Sequence, residues 1–323
     1  MMERRAKTFL VLALALAFAG TFAAPRINPY VLYILYDVGI NIVLAVSLNL
    51  INGYTGQFSL GHAGFMAVGA YTSGWLTTTW GPRWIAALGG ESVLANGAVF
   101  LLALVAGGLL ASVVGLAVGA PSLRLKGDYL AIVTLGFGEI IRVVLQNMQS
   151  VGASRGYGVT HEYTNFFWSF GLAAVTVYVV TGLVRSTYGR GFIAVHDDEV
   201  AAEAMGINTT RYKIVAFIVG AFFAGIAGGL FAHTKLFISP GGFDFMKSIE
   251  IVVMVILGGM GNTLGVVIAA VLLTVLPQMM RGLQEYRMVC YSLLLIVLML
   301  TCPNGLAQIW HRLRGLFRKA KKA

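Results

Sequence analysis

The run SIEIVVMVILGGMGNTLGVVIAAVLLTVL, residues 248–276, decides how this chain is laid out. It is apolar enough for lipid, but a membrane-spanning helix needs only about 20 such residues, and LGGMGNTLG at 257–265 interrupts it. Charge turns that interruption into a topology. An N-terminus in the cytoplasm puts Arg124, Lys126, Arg185, Arg190, Arg211 and Lys213 inside, and Arg26, Arg83, Arg155, Lys235 and Lys247 outside. The tail, with Arg312, Arg314, Arg318, Lys319, Lys321 and Lys322, belongs inside as well. Counting 248–276 as a single span makes the total odd and strands that tail outside. A chain that turns at Gly258–Gly261–Asn262 within the bilayer and returns leaves about eight full spans, whereas two short full spans make about ten with Arg281 and Arg287 outside. Both restore parity. Broken helices at membrane depth are tolerated where protein or a water-filled cavity covers the freed backbone, so 257–265 is expected beside a pathway.

Composition supports a membrane solvent. Charged residues are 11% of the 323 and hydrophobic ones 58%, where soluble domains run near a quarter charged. The 40 glycines suit close helix–helix approach in lipid. A net charge of +10 invites a nucleic-acid reading, but the basic residues sit in short loops and at the chain end, which is an orientation signal. Cys290 and Cys302 fall in one apolar run; on a helix they would stand about 18 Å apart, too far for a disulfide, and are read as packing residues.

Basic residues 1–7 precede TFLVLALALAFAGTFAA at 8–24, which is expected to be an uncleaved anchor; a cleaved signal peptide would start the mature chain near Pro25. Further apolar runs lie at about 30–51, 60–80, 95–119, 129–147, 166–184, 214–234 and 288–302. None alternates as a strand would, so the expected class is an all-α integral membrane protein, a single transmembrane domain over 1–323 with both termini cytoplasmic. A second glycine-rich break, NGYTGQFSLGHAG at 52–64, mirrors 257–265 in the other half and hints at an internal repeat.

The longest polar segment is RSTYGRGFIAVHDDEVAAEAMGINTTRYK at 185–213. It predicts a short self-capped helix, with Asp197, Asp198 and Glu199 at the positive N-terminal end and Gly206 as the terminating glycine. The plain reading is a solvated loop helix; the sharper one is a surface gripped by another protein.

Enzyme motifs are absent. No Gly-Lys dipeptide occurs, so there is no phosphate loop; there is no His-Glu-x-x-His and no cluster with metal-ligand spacing. His62, His161, His196, His233 and His311 are scattered and read as hydrogen-bonded interface residues. Glu139 and Arg142 share a helix face inside an apolar run and should neutralise each other, either as a functional pair or as a structural pin. Asp37 and Glu250 read as headgroup anchors, and Asp128 as an N-cap.

Several long motifs stand in register. SLNLINGYTGQFSLGHAGFMAVGAY (47–71), LKGDYLAIVTLGFGEIIRVV (125–144), GRGFIAVHDDEVAAEAMGINTTRYKIVAF (189–217), AGIAGGLFAH (224–233) and ILGGMGNTLGVVIAAVLL (256–273) occur in that order. Over residues 30–310 the chain resembles the inner-membrane permeases of branched-chain amino acid ABC importers, the LivM type. The resemblance implies a second homologous permease of LivH type, two ATPase subunits that carry ATP and magnesium, and a periplasmic or lipid-anchored binding protein. It implies leucine, isoleucine or valine as substrate, with other amino acids, amides or urea carried by relatives. It also makes 185–213 a cytoplasmic coupling loop whose His196, Asp197, Asp198, Glu199, Glu203 and Gly206 meet the ATPase; many members have Arg where His196 stands.

The expected function is therefore an ATP-driven importer permease in the bacterial inner membrane, multi-pass and lipid-embedded, with no cofactor of its own. Asn49, Asn52, Gln57, Ser59, Gly61, Gly258, Gly259, Gly261 and Asn262 are expected along the translocation pathway, where neutral groups suit a zwitterion that must leave again; satisfaction of the backbone at the breaks is the competing role. A stand-alone ion-coupled secondary transporter is the alternative, marked by a proton or sodium dependence, and a membrane enzyme is the third class.

Overall fold

A computed structural model describes residues 2–122 and 128–281 with six further positions between 289 and 300; the side chains of residues 2–6 and Asp128 are also outside it. Expectations for Arg124, Lys126, the Asp128 cap, Arg287, Cys290, Cys302, most of the run 288–302, His311 and the tail 311–323 fall outside the described residues.

Helices dominate the described part of the chain. In order come α1 (Met2–Ala23), α2 (Pro29–Asn49), α3 (His62–Thr79), α4 (Gly81–Ala87), α5 (Val93–Ser122) and α6 (Asp128–Asn147). Then follow α7 (Phe166–Arg185), α8 (Thr187–Asp197), α9 (Glu199–Ala204), α10 (Thr209–Lys235), α11 (Phe245–Gly258) and α12 (Thr263–Met279). Among the described residues, six helices are long and apolar enough to cross a membrane: 7–26, 29–54, 93–122, 129–147, 166–185 and 209–235. The run 60–80 is not among them. Its helix α3 carries His62, Ser73, Thr77 and several glycines, and it is buried along most of its length because protein surrounds it. One small departure from an all-helical chain is a two-residue antiparallel pairing of β1 (Tyr157–Gly158) with β2 (Phe237–Ile238).

The centre is a glycine seam. α10 packs most extensively on α5 and α3, and glycines allow their backbones to touch, as small residues do at lipid-embedded helix interfaces. A Cβ on Gly225 would lie 2.8 Å from the Gly107 carbonyl oxygen, and one on Gly107 would lie 2.9 Å from that of Gly69. Thr77 and His233 share a hydrogen bond of 2.9 Å between α3 and α10, and His233 Nδ1 reaches the Gly229 carbonyl at 2.8 Å. Both nitrogens of that buried histidine are thereby occupied.

The bundle has two distinguishable ends. One end carries α8 and α9, between the close of α7 and the start of α10. The hairpin end carries β1 and β2, the Lys235–Asp37 pair at 2.9 Å, and Arg281 over the Tyr30 ring at 5.0 Å. α2 and α12 run antiparallel between them: Asn41 Nδ2 donates to Thr274 Oγ1 at 2.9 Å, and Tyr30 OH to Gln278 Oε1 at 2.8 Å. The run 248–276 is thus two helices, α11 and α12, joined by the turn at 259–262.

Candidate functional site

At the end that carries α8 and α9 the chain makes a hook. Ser186 caps α8 by accepting from Gly189 N–H at 3.2 Å. The inner face of α8 buries Phe192 and Val195, with Phe192 edge-on to Tyr188 at 5.5 Å and to Tyr212 of α10 at 5.8 Å. Burial lifts the Tyr188 phenol above its ordinary value, so it stays neutral.

The expected single helix is two. Asp197 closes α8 rather than opening the next helix, and its carboxylate stands 3.3 Å from His196 Nδ1. The cap of α9 is Asp198 alone, accepting from Val200 N–H at 2.9 Å and Ala201 N–H at 3.0 Å. The other end closes as a Schellman motif: Ile207 N–H donates to Ala202 O at 3.0 Å and Gly206 N–H to Glu203 O at 2.9 Å. Gly206 has φ +83° and open space around it, so its backbone conformation alone selects glycine.

Two side-chain bonds fasten this hook to α10. Lys213, buried to 7% side-chain exposure, pairs with Glu199 at 2.6 Å, and Thr209 Oγ1 donates to Glu203 Oε1 at 2.7 Å. Ile193, Val200 and Met205 point outward, 44%, 67% and 83% exposed. The other end of α8 abuts the first glycine break. Gly56 has φ +68°, and a Cβ there would sit 3.1 Å from the His196 ring.

The two breaks meet. Asn49 Oδ1 accepts from Gly261 N–H at 2.9 Å, and a Cβ on Gly53 would collide with both of those atoms. Tyr54 and Thr263 share a hydroxyl hydrogen bond of 2.8 Å across the same junction. Asn52 spans its own loop, accepting from Ser59 N–H at 3.2 Å and donating to Ser59 O at 3.4 Å, and Asn262 caps α12 by accepting from Gly265 N–H at 3.2 Å. Backbone satisfaction therefore occupies much of Asn49, Asn52 and Asn262. The amide of Gln57, the Asn49 Nδ2 and the Ser59 hydroxyl are buried and make no hydrogen bond among the described residues. Gly61 packs against the Thr134 carbonyl, and Gly258 against Val266. None of the nine polar and glycine positions at the breaks lines the cavity of about 180 Å³ between α2, α3, α10, α11 and α12, which lies toward the hairpin end.

Glu139 and Arg142 pair within α6 at 2.6 Å and are about a third exposed. Glu139 also faces Asp244 and Ser248 across a small cleft where α11 begins. Ser248 Oγ accepts from Ala63 N–H at 3.2 Å, so the first turns of α3 and α11 meet there. Sequence reading missed Lys213, Lys235, Lys247 and Ser248 as partners. Their only signal was that each is polar in or beside an apolar run.

Comparison with known proteins gives consistent matches. The family model described as "Branched-chain amino acid transport system / permease component" matches residues 30–302. The high-affinity branched-chain amino acid transport system permease protein LivM of Escherichia coli is 35% identical over 93% of this chain and 74% of its own length. LivM of Salmonella typhimurium matches to the same extent, and LivH of Escherichia coli is 24% identical over 82% of this chain and 90% of its own length. No solved structure matches. A match spanning most of a chain whose apolar helices converge on glycine breaks settles its kinship: this chain belongs to the family of branched-chain amino acid transport system permease components.

Proposed function

We propose that the chain is the membrane permease subunit of an ABC importer for branched-chain amino acids, driven by ATP hydrolysis on separate subunits. The end that carries α8 and α9 faces the cytoplasm, both termini lie there, and α11 with α12 forms the pair that restores an even number of crossings. A second permease of LivH type, a pair of ATPases holding ATP and magnesium, and a binding protein outside a bacterial inner membrane complete the machine.

One observation carries this reading: the hook of α8 and α9. It is capped at both ends, pinned to α10 by Lys213–Glu199, and offers Ile193, Val200 and Met205 outward. Three exposed apolar side chains on a rigid frame give a protein partner apolar surface to bury. Movement of the hook reaches α10 through the ion pair and the break at 52–61 through the Gly56–His196 contact. Such a lever shifts the permease only if the ATPase grips it differently in its open and closed forms.

Charging the outward face tests it. The double substitution Val200→Asp, Met205→Asp leaves the inner face of the hook intact. It is expected to abolish co-purification of the ATPases in mild detergent, and with it ATP-dependent uptake, while the chain still inserts. Retained association and normal uptake would sink the docking role, and uptake that follows a proton or sodium gradient without ATP would favour a secondary transporter.

A further inference from the structure

The connection from α3 to α5 is folded along its length. α4 follows α3 closely, with Trp84 N–H donating to Trp80 O at 3.0 Å. It closes on two glycines: Gly90 N–H donates to Ile85 O at 3.0 Å and Gly89 N–H to Ala86 O at 3.3 Å, with Gly89 at φ +95°. Ser92 then caps α5 by accepting from Ala95 N–H at 3.1 Å. Ile85 is buried and holds α4 to the bundle. On this fixed frame large apolar side chains face out. Trp80 is 41% exposed and Leu88 55%, while Val93 and Leu94, which open α5, reach 90% and 85%.

Arg83 is exposed on the same segment, its guanidinium 5.3 Å from the centre of the Trp80 ring. It makes no hydrogen bond or ion pair with any described residue. Stacking on the indole orients the cation and leaves its five-donor fork free, a geometry that matches a phosphate. Cations lie over aromatic rings at two further helix ends here. Arg281, just past α12, stands 5.0 Å from the Tyr30 ring at the start of α2, and Lys235, the last residue of α10, 5.9 Å from the Phe231 ring. Such pairs suit the membrane boundary, where a ring's body favours hydrocarbon and a charge favours headgroups. Recurrence at three helix ends fits a boundary that runs round the bundle better than a partner docked on one loop. The outward face of 80–94 is also continuous with α5, an apolar helix long enough to span, whose Leu101, Leu102 and Leu109 are exposed.

From this outward apolar face and the free guanidinium stacked on Trp80, we infer that α4 and its closing turn form a lipid anchor lying in the membrane interface. Trp80 and Leu88 enter the boundary between headgroups and acyl chains, and Arg83 takes the phosphate of a phospholipid. The anchor requires a membrane-embedded chain and is independent of what is transported.

The test uses the full-length chain with its co-purifying subunits, in nanodiscs of phosphatidylethanolamine and phosphatidylglycerol. A nitroxide is placed on Leu88→Cys, and for comparison on Gly241→Cys in open space, with Cys290→Ser and Cys302→Ser in both. Oxygen, which concentrates in lipid, is expected to relax the Leu88 label more than a water-soluble nickel chelate does, with the order reversed at Gly241. The phosphate contact is read separately, as phosphatidylglycerol retained on the protein in native mass spectra. Arg83→Gln is expected to lower that affinity about fivefold, the effect of one cation near an anionic surface, and Arg83→Lys to recover most of it. A Leu88 label relaxed chiefly by the chelate would place α4 in water and overturn the anchor. Shielding of that label from both relaxants would mean that a protein covers α4, which overturns it equally. Unchanged phosphatidylglycerol retention in Arg83→Gln would overturn the phosphate contact.

Discussion

The hook at 186–208 and the junction of the two glycine breaks are neighbours built on opposite principles. In the hook nearly every polar group is used: Asp198 caps, Glu199 pairs, Glu203 accepts, and the last carbonyls close on Gly206 and Ile207. Its apolar surplus points outward. At the break junction Leu50, Ile51 and Leu257 are buried, while Gln57, Ser59 and Asn49 each keep a buried polar atom without a partner among the described residues. Buried polar groups left unpaired destabilise the arrangement that holds them, and any rearrangement that satisfies them is favoured by comparison. On the proposed function, the hook is the stiff piece that receives force, and the break junction beside it is the piece with unpaired polar groups.

The sharpest way to break that comparison is at Gly53. A side chain there strikes Asn49 Oδ1 and Gly261 N, so Gly53→Val forces the two breaks apart. The expected cost is about 3 kcal/mol or more, read as loss of the detergent-solubilised fold in a thermal melt. A melt within a degree or two of the parent would mean that the breaks are not in contact. Next comes Glu199→Ala, which strands the buried Lys213 ammonium and is expected to destabilise by about 2–4 kcal/mol. The double change Glu199→Met, Lys213→Met is expected to recover most of that stability but not the coupling of ATP hydrolysis to uptake. Equal melts for single and double variants would show that the pair does not pin the hook. Smallest is the cap: Asp198→Ala removes two backbone acceptor contacts and is expected to cost about 1 kcal/mol, with Gly206→Ala close behind at about 1 kcal/mol for its left-handed backbone. Helicity and melting measured on both variants, compared with Gly241→Ala in open space, check the ranking.

Much of this was legible in the primary structure. Apolar length and periodicity marked α2, α5, α6, α7 and α10 to within a few residues, because those helices answer to lipid and to their own composition. Asp198 and Gly206 are local signals, and the structure uses both as caps. The break at 257–265 was visible for the same reason. α8 escaped notice: Gly189 and Gly191 look like loop residues until Val184 and the Tyr212 ring are seen pressed against them. The contact between Gly53 and Gly261, and the Lys213–Glu199 and Asp37–Lys235 pairs, depend on how helices meet in space. No spacing in the chain encodes them. Asp197 was misplaced because three consecutive acids leave the boundary between two helices undetermined.

The glycine seam has a consequence for the order in which the protein is made. α3 and α5 leave the ribosome well before α10, yet α10 supplies the backbone that Gly69, Gly107 and Gly108 lie against. Until α10 is synthesised, α3 has only part of its burial: a helix with His62, Ser73 and Thr77 faces the insertion machinery, with little lipid affinity of its own. Stable membrane insertion of α3 is thus expected to wait on a distant segment, and chains truncated before residue 209 are expected to be degraded faster than the full-length chain.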